Sequence, residues 1–168
     1  MGPTQIVHFR ELQYMRHVWW VMLLVLGTAA LMWWGFVQQI LFGMPWGNNP
    51  SPDWMMWILW LVFGIGFPLA FYWMRLIVEV HDQEVSIRYV PLTSKKISLE
   101  SIQDVEARTY NPLREYGGWG IRSRSNRKAY NVSGNQGVEL TLKDGRKVMI
   151  GSQKAEELAL AILSKRPL

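Results

Sequence analysis

The chain of 168 residues contains no cysteine, so it forms no disulfide and offers no thiolate nucleophile or cysteine metal site. Histidine is scarce: His8, His17 and His81 are the only imidazoles, and none sits in a metal-ligand spacing such as HExxH. Ionisable side chains are missing from two long runs, Val18 to Phe42 and Trp54 to Met74. Lys and Arg are missing from everything between Arg16 and Arg75. These gaps exclude the usual intramembrane ion or proton path, which needs a charged residue in the span. No dense basic surface or recognisable module for nucleic acid is present, and none is expected as a partner.

What fills the gaps is apolar. Each run exceeds the roughly 20 residues that a helix needs to cross a hydrocarbon core. Nine of the ten tryptophans lie between Trp19 and Trp73, several of them where an interface would favour an amphipathic ring. The linker 43–53, "GMPWGNNPSPD" with its flanks, is rich in Gly, Pro and Asn and reads as a loop. The expectation is a transmembrane hairpin over residues 18–74, with helices at about 18–42 and 54–74 and the loop 43–53 outside. Sixteen of the eighteen basic residues follow Met74, so the bias of Lys and Arg places both termini in the cytoplasm. Residues 1–17 show Ile6, Phe9 and Leu12 at helical spacing with Arg10, Glu11, Gln13 and Arg16 between them. They read as an interfacial amphipathic helix leading into the membrane.

After Arg75 the period changes from helical to two. "RLIVEVH" and "EVSIRYV" flank a tight turn, "KKISL" and "SIQDVEARTY" continue the pattern, and "WGIRSR", "KAYNV", "GVELTLKDG" and "RKVMIG" follow. "DG" marks a hairpin between the last two. The end, "SQKAEELALAILSKR", has an apolar stripe of Ala155, Leu158, Ala159 and Ile162, with Ser152 as expected N-cap and Glu156 and Glu157 in its first turn. Seven or eight strands and one helix over 75–168 predict an all-β small barrel or sandwich capped by a C-terminal helix.

The stretch "REYGGWGIRSRSNRK" separates into two halves. Gly117, Gly118 and Gly120 do not make GxGxxG and no helix starts after them, so a bend is expected and a phosphate loop is not. Arg122 and Arg124 fall on one face of a strand, opposite Ile121 and Ser123. With Arg114, Arg127 and Lys128, and with Tyr116, Trp119, Tyr130 and Asn131 nearby, they form the candidate binding cluster for a protein partner or an anionic headgroup. A solvated basic loop is the competing reading of the same residues. No catalytic residue, metal site or cofactor is expected.

The order of strands and final helix resembles the pleckstrin-homology-like fold, as in bacterial proteins that carry membrane helices beside such a domain. More specifically, "FRELQ", "YNPLREYGGWGIR", "AYNVSGNQGVELTL" and "IGSQKAEELALAI" resemble the recurring pieces of DUF6141, a family of two-helix membrane proteins with a PH-like tail. The resemblance implies a fold, a topology and a place in a prokaryotic plasma membrane, but no reaction. A phosphoinositide pocket of the lipid-binding PH kind is not expected, because the first strand–strand loop, "HDQ", is short and acidic. The resulting expectation is a non-enzymatic accessory or scaffold protein whose cytoplasmic domain docks a protein partner, with anionic lipid contact as the alternative and an uncatalogued membrane enzyme as the minor one.

Overall fold

The computed structural model describes residues 6–166, which fall into two compact units. One holds residues 15–74; the other joins residues 6–14 to residues 75–166.

The first unit is a helical hairpin. Helix α1 runs Trp19–Leu41 and α2 runs Asp53–Trp73, and both are long and apolar enough to cross a membrane. Only 22% and 11% of their most apolar windows is buried, so most of the apolar surface faces outward. Where the helices meet, Phe36 stacks on Trp60 at 4.3 Å, and Trp33 and Trp57 contact it edge-on at 5.0 and 5.8 Å from Trp60. The Trp33 indole donates to the carbonyl of Gly64 at 3.2 Å. Both helices contain a π-helical stretch, Val37–Leu41 and Trp60–Gly66. At the loop end, Gln39 donates to the Ser51 carbonyl and to Asp53, at 2.7 and 2.9 Å.

The second unit is two sheets and a helix. Strands β1 (Phe9–Tyr14), β2 (Arg75–Val80), β3 (Glu84–Val90) and β4 (Thr93–Ser98) form an antiparallel sheet in sequence order. Strands β5 (Ile102–Thr109), β6 (Gly120–Arg124), β7 (Arg127–Asn131), β8 (Gln136–Leu142) and β9 (Lys147–Gly151) form the other, in the order β5-β8-β9-β7-β6. There β7 and β9 run parallel. A short helix α3 (Pro112–Tyr116) precedes β6, and α4 (Ala155–Lys165) ends the chain, packing on β5, β8, β1 and β2. Alternation builds the core: Leu76, Val78, Val80, Val85 and Ile87 from one sheet face Val138, Leu140, Ile150 and the Leu158 and Ile162 side chains of α4, all buried.

Three expectations are corrected. The interfacial helix over 1–17 is a strand from Phe9 to Tyr14 paired along its length with β2; residues 1–5 lie outside the described residues. The pattern misled because Leu12 points outward, while Glu11 and Gln13 are buried. The Glu11 carboxylate accepts from the Ser152 hydroxyl, the Gln153 amide at 2.8 Å and Gln13 Nε2 at 3.1 Å, and Gln13 Nε2 also reaches the Gly151 carbonyl. A buried polar pair on a strand is tolerated only with such partners. The sheets do not close into one barrel; residues 75–166 hold eight strands, within the seven or eight expected, and β1 joins them from before the hairpin. Ser152 is not the N-cap of α4; Lys154 is, and the Ser152 hydroxyl accepts from its amide at 2.9 Å.

Candidate binding surface

The glycine-rich bend is the C-terminus of α3. Asn111 caps the start by accepting from the Arg114 amide at 3.0 Å, while Glu115 reaches back to the Asn111 amide at 2.8 Å. At the other end Gly117 donates to the Leu113 carbonyl and Gly118 to the Pro112 carbonyl, a Schellman arrangement. It needs Gly117 at φ 75° and Gly118 at φ 127°, conformations that glycine adopts freely. The bend expected from the sequence is present, with a helix before it that the sequence reading missed.

The register then places the candidate residues. Across β6 and β7, Arg122 stands opposite Ala129, Ser123 opposite Lys128, and Arg124 opposite Arg127. Directly opposed residues share a face, so Arg122, Arg124 and Arg127 lie together and Lys128 lies on the other side. β9 extends the arginine row, with Lys147 beside Arg127. Arg122 Nε donates to the Trp119 carbonyl at 3.1 Å, and the Trp119 indole donates to the Gly134 carbonyl at 2.9 Å. Arg114, Arg124 and Arg127 are exposed, and none of the three has a carboxylate partner among the described residues.

Three of the nine candidate residues are interior, which corrects their place in an exposed cluster. Asn131 is completely buried; its amide donates to the Tyr110 hydroxyl at 2.7 Å and its carbonyl oxygen accepts from the Gly120 amide at 2.8 Å. It fixes the start of β6. Tyr116 packs edge-on to Tyr110, over Ala129 and Met149, in a small satellite core beneath α3. Tyr130 points to the opposite side and is also buried.

Beside the arginine row lies an ion network that the sequence reading did not pick out. Arg108 Nη2 donates to Glu115 at 2.8 Å and to the buried Glu139 at 2.6 Å, and Lys147 donates to Glu139 at 2.7 Å. The Arg108 hydrogen bond holds the Glu115 carboxyl below its ordinary value. Burial pushes Glu139 upward, but the hydrogen bonds from Lys147 and Arg108 outweigh it and leave its carboxyl low as well. The network is internally neutralised, two cations against two carboxylates. The residues come from β5, α3, β8 and β9, so only cross-strand register could have revealed them.

A second basic group is also formed by distance in sequence. Lys95 and Lys96 of β4 line one cleft together with Lys128, Arg146 and Lys147, from the two hairpin tips opposite. Among the described residues no group of three or more His, Asp or Glu side chains is placed to hold a metal ion.

The profile of a family of unknown function, DUF6141, matches residues 2–166, and the chain belongs to that family. No curated protein and no solved structure matches it.

Proposed function

We propose that this family member is a non-enzymatic membrane accessory or scaffold protein. In this reading α1 and α2 cross the membrane as a hairpin, and the β unit lies with both termini on the cytoplasmic side. The outward apolar surface of both helices and the absence of Lys and Arg between Arg16 and Arg75 support that arrangement. A pleckstrin-homology-like assignment of the β unit is supported by two sheets followed by a C-terminal helix. The parallel β7–β9 pair, and a first strand supplied from before the hairpin, depart from a simple version of it.

The observation that carries the function is the Arg124–Arg127 pair. Two guanidiniums directly opposed across a ladder repel each other, and among the described residues no carboxylate pairs with either. A surface that sustains this arrangement is suited to an acidic partner, whose carboxylates would meet planar bidentate forks. β6 is also an edge strand, free to pair with an incoming chain along one side. We therefore assign the β6–β7 edge, with Arg114, Arg122, Arg124 and Arg127, as the docking surface for an acidic protein segment at the membrane.

Isolation of the full chain from its native membrane in mild detergent tests this. The wild type is expected to carry a stoichiometric partner, and Arg124→Glu with Arg127→Glu to lose it while keeping the same thermal midpoint or a higher one. Recovery of the wild type as a lone monomer counts against it. The alternative, contact of the same arginines with anionic headgroups, rests on their exposure; it predicts salt-sensitive recruitment to acidic vesicles with no protein partner.

A further inference from the structure

We propose that the cleft between β4 and the tips of the β6–β7 and β8–β9 hairpins binds a phosphate monoester, with Lys95 and Lys128 as its two principal cations. The site is independent of the arginine edge, because Lys128 projects from the opposite face of β7.

The first argument is position. Lys95 is paired with the buried Ile87 of β3 and Lys128 with the buried Val148 of β9, so both lysines, themselves exposed, occupy the strand face that elsewhere builds the core. Each sheet thus contributes one cation to the space between the sheets, at an end where they do not close. Interior-facing positions of a sandwich are apolar by default. Two lysines at such positions call for a ligand as much as for solvent.

The second is charge. No Asp or Glu lines the cleft. Lys96 is engaged by Glu84, Arg146 by Asp144 and Lys147 by Glu139, which leaves Lys95 and Lys128 without carboxylate partners among the described residues. Two uncompensated ammonium groups match the charge of a phosphate monoester, about −1.5 to −2 at neutral pH. Lysine binds phosphate as a compact point charge, and the serine hydroxyls along the cleft add neutral donors.

The third is shape. The open cleft holds about 140 Å³, below the roughly 300–1,000 Å³ of sites for drug-sized ligands. That admits a phosphate group with its coordinating water and is small for a whole nucleotide or drug-sized molecule. Its floor is apolar, from Leu142 and Val148, and Tyr130 stands at its wall. Burial pushes the Tyr130 phenol above its ordinary value, so it stays a donor. The rim is held in place: Asn126 Nδ2 donates to the Gly145 carbonyl at 2.9 Å and Lys147 N to the Asn126 carbonyl at 3.0 Å, locking the two hairpin tips together. Ser125, beside Asn126 on the rim, is the one described non-glycine residue at positive φ, 49°. That is the ordinary geometry of a two-residue hairpin turn between the paired Arg124 and Arg127.

The test uses the full chain in phosphatidylcholine nanodiscs, with acetylation of each lysine read by mass spectrometry. Glycerol 3-phosphate is added in one arm; in another, the nanodiscs contain phosphatidic acid, the same group on a lipid. Protection of Lys95 and Lys128, with Lys143 unchanged, supports the site. Protection in the first arm assigns a soluble ligand, and protection in the second alone assigns a headgroup. Lys128→Ala is expected to raise the half-protecting concentration for Lys95 about tenfold, the loss of one charge-assisted contact, whereas Arg124→Ser leaves it unchanged. No protection in either arm overturns the proposal. So does equal protection of Lys143, or protection of Lys95 undiminished by Lys128→Ala in a variant that keeps its thermal midpoint.

Discussion

Arg124 and Arg127 stand directly opposite each other where β6 turns into β7, on the face that also carries Arg122 and Lys147. Two like charges in this geometry destabilise the ladder, so stability and binding are set against each other at this edge. Arg127→Thr removes the repulsion and adds a good strand former. It is expected to raise stability by about 0.2–1 kcal/mol and to weaken association with an acidic partner. Thermal or denaturant midpoints of the full chain check the first half; a midpoint that falls would show that the pair is not strained.

The Arg108–Glu139–Lys147 network should set the acid limit of the β unit. The Glu115 and Glu139 carboxyls lie below their ordinary value of 4.5 in the folded state. A depressed folded value contributes stability that is present above the unfolded value and is lost as pH falls through the folded one. Stability should therefore hold steady above about pH 5 and decline below about pH 4.5. Glu139→Gln removes the shared acceptor, lowering stability at neutral pH by roughly 1–3 kcal/mol and flattening the decline on acidification. An equally steep decline in the variant would assign the acid limit elsewhere.

Glu11 ties the N-terminal strand to the start of α4. Glu11→Ala leaves the buried Ser152 hydroxyl and the part-buried Gln153 amide without their acceptor, at about 1–3 kcal/mol for the buried hydroxyl. Hydrogen exchange should show β1 and the first turn of α4 losing protection together. Loss confined to β1 would mean that the two ends are held separately.

The absence of cysteine makes the proposed topology directly testable. Single substitutions Asn48→Cys in the loop and Lys143→Cys in the β8–β9 turn introduce the only thiols of the chain. In intact cells a membrane-impermeant maleimide is expected to label position 48, and to reach position 143 only after permeabilisation. Labelling of both from outside would refute the orientation.

Much of this architecture was legible because it is local. The hairpin β2–β3 shows alternation on both sides of a short turn, and α1 and α2 begin and end within one residue of the apolar runs. β1 was not legible, because its partner β2 lies some sixty residues further along the chain and the helical spacing of Ile6, Phe9 and Leu12 is coincidental. The basic cluster was half legible. Adjacent residues in a strand point to opposite faces, so Arg127 and Lys128, neighbours in the chain, serve different surfaces. Lys95 and Lys128 could be brought to one cleft only by the fold itself. Asn131 lies near the arginines in sequence, yet its side chain serves Tyr110 and Gly120, inside the protein.

The central claim is that the β6–β7 edge docks an acidic protein segment at the membrane. A photo-crosslinking residue placed at Arg122, on the strand face shared by Arg124 and Arg127, probes that surface most directly when activated in native membranes. One dominant crosslinked protein is expected from position 122, absent from position 143 and lost on Arg124→Glu with Arg127→Glu. Crosslinks to lipid alone, or the same set of proteins from both positions, would contradict it.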